Sequence, residues 1–248
     1  MARATDFICN GRPVAVTDIV VDDDNFEFAR AWKTPLWNLK SNTAVPRVGW
    51  LTEPRLHRVS TKCLREKAGL LGQADRAALR EEVESTLLGI LNTTAAEVGV
   101  CDSYMTVFGS KFLSRAKRVL INLHPGLTTE NHPAKLLGPT PNRDAYTRAR
   151  FGYIIVDDKA RAFWPEGVPH EIVYDGQTRR AIAVPRLAET GVTAHHVEKA
   201  VDRGRVIAQS SYYFDPELES EDSLRSKNYA LKLPVLKAAL EKVFAEHL

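Results

Sequence analysis

Near the middle of the chain, Val119-Leu120-Ile121-Asn122-Leu123 runs straight into His124-Pro125-Gly126. A short run that is apolar apart from one amide is what a strand buried in a parallel sheet requires. The Pro-Gly pair then turns the backbone sharply away. Side chains alternate along a strand, so Asn122 and His124 share one face. Open α/β sheets collect their ligands outside the carboxyl ends of their strands, which puts this polar pair at the edge of a cleft. On its own the pair is open to two readings, a reactive site or two hydrogen-bonded structural residues.

The rest of the chain alternates in the same manner. Val14–Val21 reads as a strand ended by the acidic run Asp22–Asp24, Asn25–Trp32 as a short helix, and Leu36–Leu39 as a further strand. Asp75–Asn92 is helical, with Leu79, Val83, Leu87 and Leu91 recurring every four residues and Ile90 widening the stripe. Strands follow at Val98–Val107, Val192–Val197 and Val206–Phe214, with a helix starting near Asn142 between them. Ser220 has the chemistry of an N-cap, and a last helix starts near Pro234. The stretch 151–190 stands apart, with β-like runs at Tyr153–Val156 and Ile182–Val184 and an Asp175-Gly176 turn signal. The pattern predicts an α/β fold, with a Rossmann-like, mainly parallel sheet flanked by helices and a β-rich insertion before the last strands. All of 1–248 is expected to form one domain carrying that insertion.

Bulk properties narrow the function. A hydrophobic content of 44% is enough for a proper core, while a net charge of +3 is too small to argue for nucleic acid. No run approaches the roughly 20 apolar residues of a membrane span, and the start shows no secretory signal. Cys9, Cys63 and Cys101 are scattered without metal-like spacing. The expectation is a cytoplasmic protein with reduced thiols, no bound metal and no membrane or nucleic-acid partner.

A second polar position is Asp202, in a tight Val-Asp-x-Gly turn between the apolar runs Val192–Val197 and Val206–Phe214. Asp before a turn glycine is ordinarily turn chemistry. Here, however, several blocks occur in order. Ile121–Gly126 resembles the Asn-x-His-Pro-Ser/Gly motif of the folate-dependent formyltransferases that act on glycinamide ribonucleotide and methionyl-tRNA. Ser103–Phe108 and Lys111–Leu113 resemble that family's Gly-aromatic-Met-Arg-Ile-Leu strand and the helix after it. Thr193–Val197, Val201–Gly204 and Val206–Gln209 are similar to its Thr-Val-His-x-Val, Val-Asp-x-Gly and Ile-Ile-Ala-Gln elements, and the likeness runs over roughly Val98–Leu248.

The resemblance implies that Asn122, His124 and Asp202 are catalytic and that 10-formyltetrahydrofolate is the formyl donor. It places the donor against Tyr104, Met105, Thr106 and Val107 on one side and Val201 on the other. The chemistry suits these residue types. An amide N–H and an imidazole can stabilise a developing oxyanion, and a carboxylate can hold a water that relays the amine's proton. His195 also matches a recurring family histidine; a structural and a catalytic role are both open for it, and it is not counted among the catalytic residues.

Two departures bear on the acceptor. The Gly-rich phosphate loop that opens the glycinamide ribonucleotide enzymes is missing, which disfavours a phosphorylated ribose. Gly138–Pro141 with Asp144-Ala145 is similar to a stretch in the N-hydroxyornithine formyltransferases of siderophore biosynthesis, whose acceptor is a small amino acid. The expected activity is therefore formylation of an amine or hydroxylamine on a small amino acid, with N5-hydroxyornithine the best specific guess. Other acceptors for the same donor (an amino sugar nucleotide or glycinamide ribonucleotide), a formyl-folate hydrolase and a non-catalytic folate binder are the alternatives. The insertion either closes over a small acceptor, decorates the periphery, or serves as a contact in a homodimer.

Overall fold

A computed structural model describes residues 8–9, 12–13, 18–22, 55–59, 73–94, 96–102, 107–156, 163 and 167–247. The expected helix Asn25–Trp32 and strand Leu36–Leu39 lie outside the described residues, as do positions 14–17 of the expected first strand. The chain divides into two compact units, 1–99 with 108–119 and 100–107 with 120–248.

In the first unit β1 (Ile8–Cys9) and β2 (Arg12–Pro13) pair antiparallel, and β3 (Asp18–Asp22) and β4 (Arg55–Val59) pair parallel. Helix α1 (Gln73–Thr93) is followed by β5 (Val98–Asp102), whose last three residues belong to the second unit, and the short α2 (Ser110–Arg115) lies again in the first. The buried side of α1 is rotated from the apolar stripe read in the sequence. Val83 and Leu88 are buried, and so is Glu84. The Glu84 carboxylate is there because it accepts the Gly109 amide N–H at 2.6 Å, capping the entry to α2.

The second unit is organised by a sheet with the strand order β11-β10-β6-β5. Here β6 spans Val119–His124, β10 Glu189–His196 and β11 Val206–Tyr213. β10 pairs antiparallel with both β6 and β11. The α/β class holds, and the sheet is mixed: β10 and β11 form a hairpin closed by the Asp202 turn, and hairpin strands must be antiparallel. β10 is covered along almost its whole length. Gly191 permits this, because a Cβ there would meet the Ser210 carbonyl at 2.0 Å.

Helix α3 (Pro141–Phe151) begins with Pro at its first turn and ends at Gly152, whose φ of 76° supplies the left-handed C-cap. The insertion follows as β7 (Tyr153–Ile155), β8 (His170–Tyr174) and β9 (Gln177–Ala183), antiparallel in the order β7-β9-β8. It is not peripheral. Ile154, Val156 and Ile182 belong to one core with Leu136, Ala145, Ala149, Phe214 and Leu224. Arg148 is buried in α3 and donates to the carbonyls of Pro133, Ala134 and Glu189, which fastens that loop to β10.

The last helix, α4, runs unbroken over Glu221–His247 with Pro234 inside it, where a separate helix starting near Pro234 was expected. Ser220 does cap it: Ser220 Oγ accepts the Ser223 N–H and Ser223 Oγ accepts the Ser220 N–H. Pro234 leaves the Ala230 carbonyl without its helical donor. Both residues are exposed, which leaves that carbonyl open to solvent, while Leu224, Val235, Ala239, Leu240 and Val243 are buried and hold the helix to the core. Among the described residues no helix is long and apolar enough to cross a membrane.

Candidate active site

The register between β6 and β10 sets out the site. Asn122 lies directly opposite His195, and His124 opposite Thr193. Opposed residues of neighbouring strands face the same way, so one face carries an amide, two imidazoles and a hydroxyl. Thr193 in turn lies opposite Gln209 of β11. The Thr193 hydroxyl is 2.8 Å from the Gly126 carbonyl and accepts the Thr128 N–H at 3.2 Å, pinning the turn that follows His124.

Asp202 completes the group from the β10–β11 turn. Its φ is 54°, a left-handed backbone that Asp tolerates better than most residues. Asp202 Oδ2 accepts the Gly138 amide N–H at 2.9 Å. A hydrogen bond to a charged group is worth about 1.5–3 kcal/mol, enough to fix which way the carboxylate turns. Oδ1 then faces the strand residues, 3.3 Å from Asn122 Nδ2, 3.5 Å from His124 Nδ1 and 3.7 Å from His195 Nε2. The three residues named from sequence therefore converge, although 80 positions separate Asn122 from Asp202.

The tautomers follow from the partners. His124 Nε2 is 2.9 Å from the Leu136 carbonyl, which only accepts, so Nε2 carries a proton. His195 Nδ1 likewise donates to the His196 carbonyl at 2.8 Å. That leaves His195 Nε2 to accept from Asn122 Nδ2 at 3.2 Å. Both amide hydrogens of Asn122 are thus engaged, one by His195 and one by Asp202.

At 5% exposed, His124 is buried. Burial holds its pKa below the ordinary histidine value, against the upward pull of Asp202 and of the Leu136 carbonyl. With only Nε2 protonated, the Nδ1 lone pair faces Asp202 Oδ1, and 3.5 Å is the gap expected of two acceptors sharing no proton. A proton placed on Nδ1 would turn that gap into a charge-assisted hydrogen bond. For Asp202, burial pushes the carboxyl up, but the His195 contact, the neighbouring His124 and the Gly138 N–H outweigh it, so its pKa lies below the usual carboxylate value.

The expected donor wall is seen only in part. Tyr104, Met105 and Thr106 lie outside the described residues. Val107 is 47% exposed, and Val201 is half-buried beside Asp202. Sequence reasoning missed two backbone contributions, the Leu136 carbonyl and the Gly138 amide. The sequence signal for Gly138 was its place ahead of Pro139 in a turn-rich run. His195, whose role the sequence left open, lies against both Asn122 and Asp202 and accepts one amide hydrogen of Asn122.

No protein-family model and no curated protein matches the sequence. Solved structures do. One is "PvdF of pyoverdin biosynthesis", described as an N10-formyltetrahydrofolate-dependent formyltransferase, with a TM-score of 0.59 at 23% identity over 90% of this chain and 79% of that one. A second is the formyltetrahydrofolate deformylase of Pseudomonas putida KT2440, with a TM-score of 0.55 at 16% identity over 96% of this chain and 57% of that one. A third is glycinamide ribonucleotide transformylase 1 of Symbiobacterium toebii, with a TM-score of 0.53 at 15% identity over 95% of this chain and 76% of that one. The chain has the fold shared by these folate-dependent enzymes.

Proposed function

We propose that this chain transfers a formyl group from 10-formyltetrahydrofolate to an amine or hydroxylamine of a small amino acid, N5-hydroxyornithine being the favoured acceptor. The observation that carries the proposal is the convergence of Asn122, His124 and Asp202 on one carboxylate oxygen, Asp202 Oδ1. Such a cluster suits acyl transfer to nitrogen. The acceptor nitrogen attacks the formyl carbon, and the bond from that carbon to N10 of the folate breaks. The proton lost by the acceptor passes, through a water held by Asp202, to His124 Nδ1, and His124 returns it by the same route to N10 as N10 leaves. The uptake of a proton draws Asp202 Oδ1 to His124 and frees one Asn122 N–H to stabilise the negative oxygen.

The acceptor class draws support from the sequence stretch Gly138–Ala145 and from a structural neighbour described as part of pyoverdin biosynthesis. Likeness to a deformylase keeps hydrolysis as a second reading, in which water replaces the amine. Consumption of 10-formyltetrahydrofolate with and without hydroxyornithine separates the two. Turnover that requires the amine is expected. Equal turnover without it points to hydrolysis, and none in either case to a folate binder. The three-residue catalytic assignment, the single-domain organisation of 1–248, a homodimer and a cytoplasmic location belong to the same proposal.

A further inference from the structure

Within the described part of the insertion beyond β7, one aromatic ring reaches the support of the catalytic carboxylate. Gly138 has a φ of 92°, and a Cβ built there would lie 2.8, 3.1 and 3.2 Å from Cδ2, Cε2 and Cγ of Phe163. The ring is therefore seated flat against the Gly138 backbone, closer than any side chain at position 138 would allow. The N–H of that same residue holds Asp202 Oδ2 at 2.9 Å. On its amino-terminal side Gly138 is restrained through Leu136, whose N–H bonds to the Leu127 carbonyl at 2.8 Å and whose carbonyl takes His124 Nε2–H. On its carboxyl-terminal side α3 begins, with Asp144 N–H on the Thr140 carbonyl at 2.9 Å. Phe163 braces a further face. The brace is itself anchored four residues on, where Gly167, at a φ of 92°, rests on the buried Ile182, a Cβ there lying 2.5 Å from Ile182 Cγ2.

We infer that Phe163 is a positioning residue, which presses the Gly138 amide onto Asp202 and so keeps the other carboxylate oxygen turned toward Asn122 and His124. The inference rests on the proposed function for its catalytic meaning, and on geometry alone for the brace. It gives the insertion a specific task, to stiffen the catalytic carboxylate from behind. Without the ring the 136–138 loop relaxes and the Gly138–Asp202 hydrogen bond weakens. A carboxylate that loses a donor to its charged form becomes easier to protonate, so the acid limb of turnover moves to higher pH.

The test compares the full-length protein with Phe163→Ala and Phe163→Leu in two readouts. Carboxyl ¹³C NMR follows the titration of Asp202 without substrates, and kcat and KM for donor and amine are measured across pH. Expected for Phe163→Ala are an upward move of Asp202 titration by about one pH unit and a kcat lower by about tenfold. Both KM values stay within about twofold, and Phe163→Leu restores most of the loss. An Asp202 titration that does not move in either variant overturns the brace. So does a rise in KM for the amine at unchanged kcat, which would make the ring a wall of the acceptor pocket instead. Should Phe163→Ala not fold, the smaller Phe163→Leu shift decides alone. If the unmodified protein shows no amine-dependent turnover, the proposed function fails, and the NMR titration still decides the brace.

Discussion

Strands β6 and β10 and the loop at 136–138 both serve the same carboxylate, but by different means. The strands supply side chains: Asn122, His124 and His195 reach Asp202 Oδ1 because register puts them on one face. The loop supplies main chain: the Leu136 carbonyl sets the His124 tautomer and the Gly138 amide sets the carboxylate. The difference teaches where chemistry is written. Side-chain contributions are tied to residue type, whereas backbone contributions depend on where the loop is held; Gly138 is needed for its φ of 92° and its contact with Phe163, not for its N–H as such.

The largest effect tests the strand side. Asn122→Ala and Asp202→Asn are each expected to lower amine-dependent turnover at least about 100-fold, with donor binding by equilibrium titration little changed. Near-normal turnover in either variant removes that residue from the mechanism. Next comes the loop side, where Gly138→Ala combines a φ of 92° with a clash against Phe163. Such strained positions cost on the order of 1–3 kcal/mol. Lower thermal stability is expected, with turnover reduced about 10- to 100-fold. Full activity would mean the loop amide is dispensable and the contrast with the strands false.

His195→Phe sharpens the comparison within the strands, since it keeps bulk but removes the acceptor for the Asn122 amide. About a tenfold loss in kcat is expected, smaller than for Asn122 itself; a loss as large would make His195 an equal member of the group. The smallest effect is on stability against pH. His124 has a pKa below its ordinary value, so the folded state binds fewer protons there than the unfolded one. Its contribution is present above the unfolded value near 6.5 and fades as pH falls toward the folded one. Asp202 adds a second loss, beginning below about 4. Chemical denaturation of His124→Gln should show the lower step without the upper.

Much of this arrangement was legible in the sequence, for stated reasons. Asn122 and His124 stood out because period-two spacing at the end of an apolar strand fixes their common face. Asp202 did not stand out by spacing, and only its resemblance to a family block connected it to them. The rest was hidden by tertiary context. β8 escaped notice because its residues are largely exposed and lack the apolar signal of a buried strand. Pro234 marked a helix start by local preference, yet packing on both sides carries α4 through it. Glu84 lay on the polar side of the expected stripe, and what buries it is the Gly109 amide, 25 positions away. Gly138 reads as turn punctuation until Asp202 is seen on its N–H.

The central claim is that the amide and the carboxylate work as one unit, and a double-mutant cycle on turnover tests it most directly. If Asn122 and Asp202 act together, Asn122→Ala/Asp202→Asn should fall within about threefold of the worse single variant. Losses that multiply, as they do for independent sites, would contradict the account.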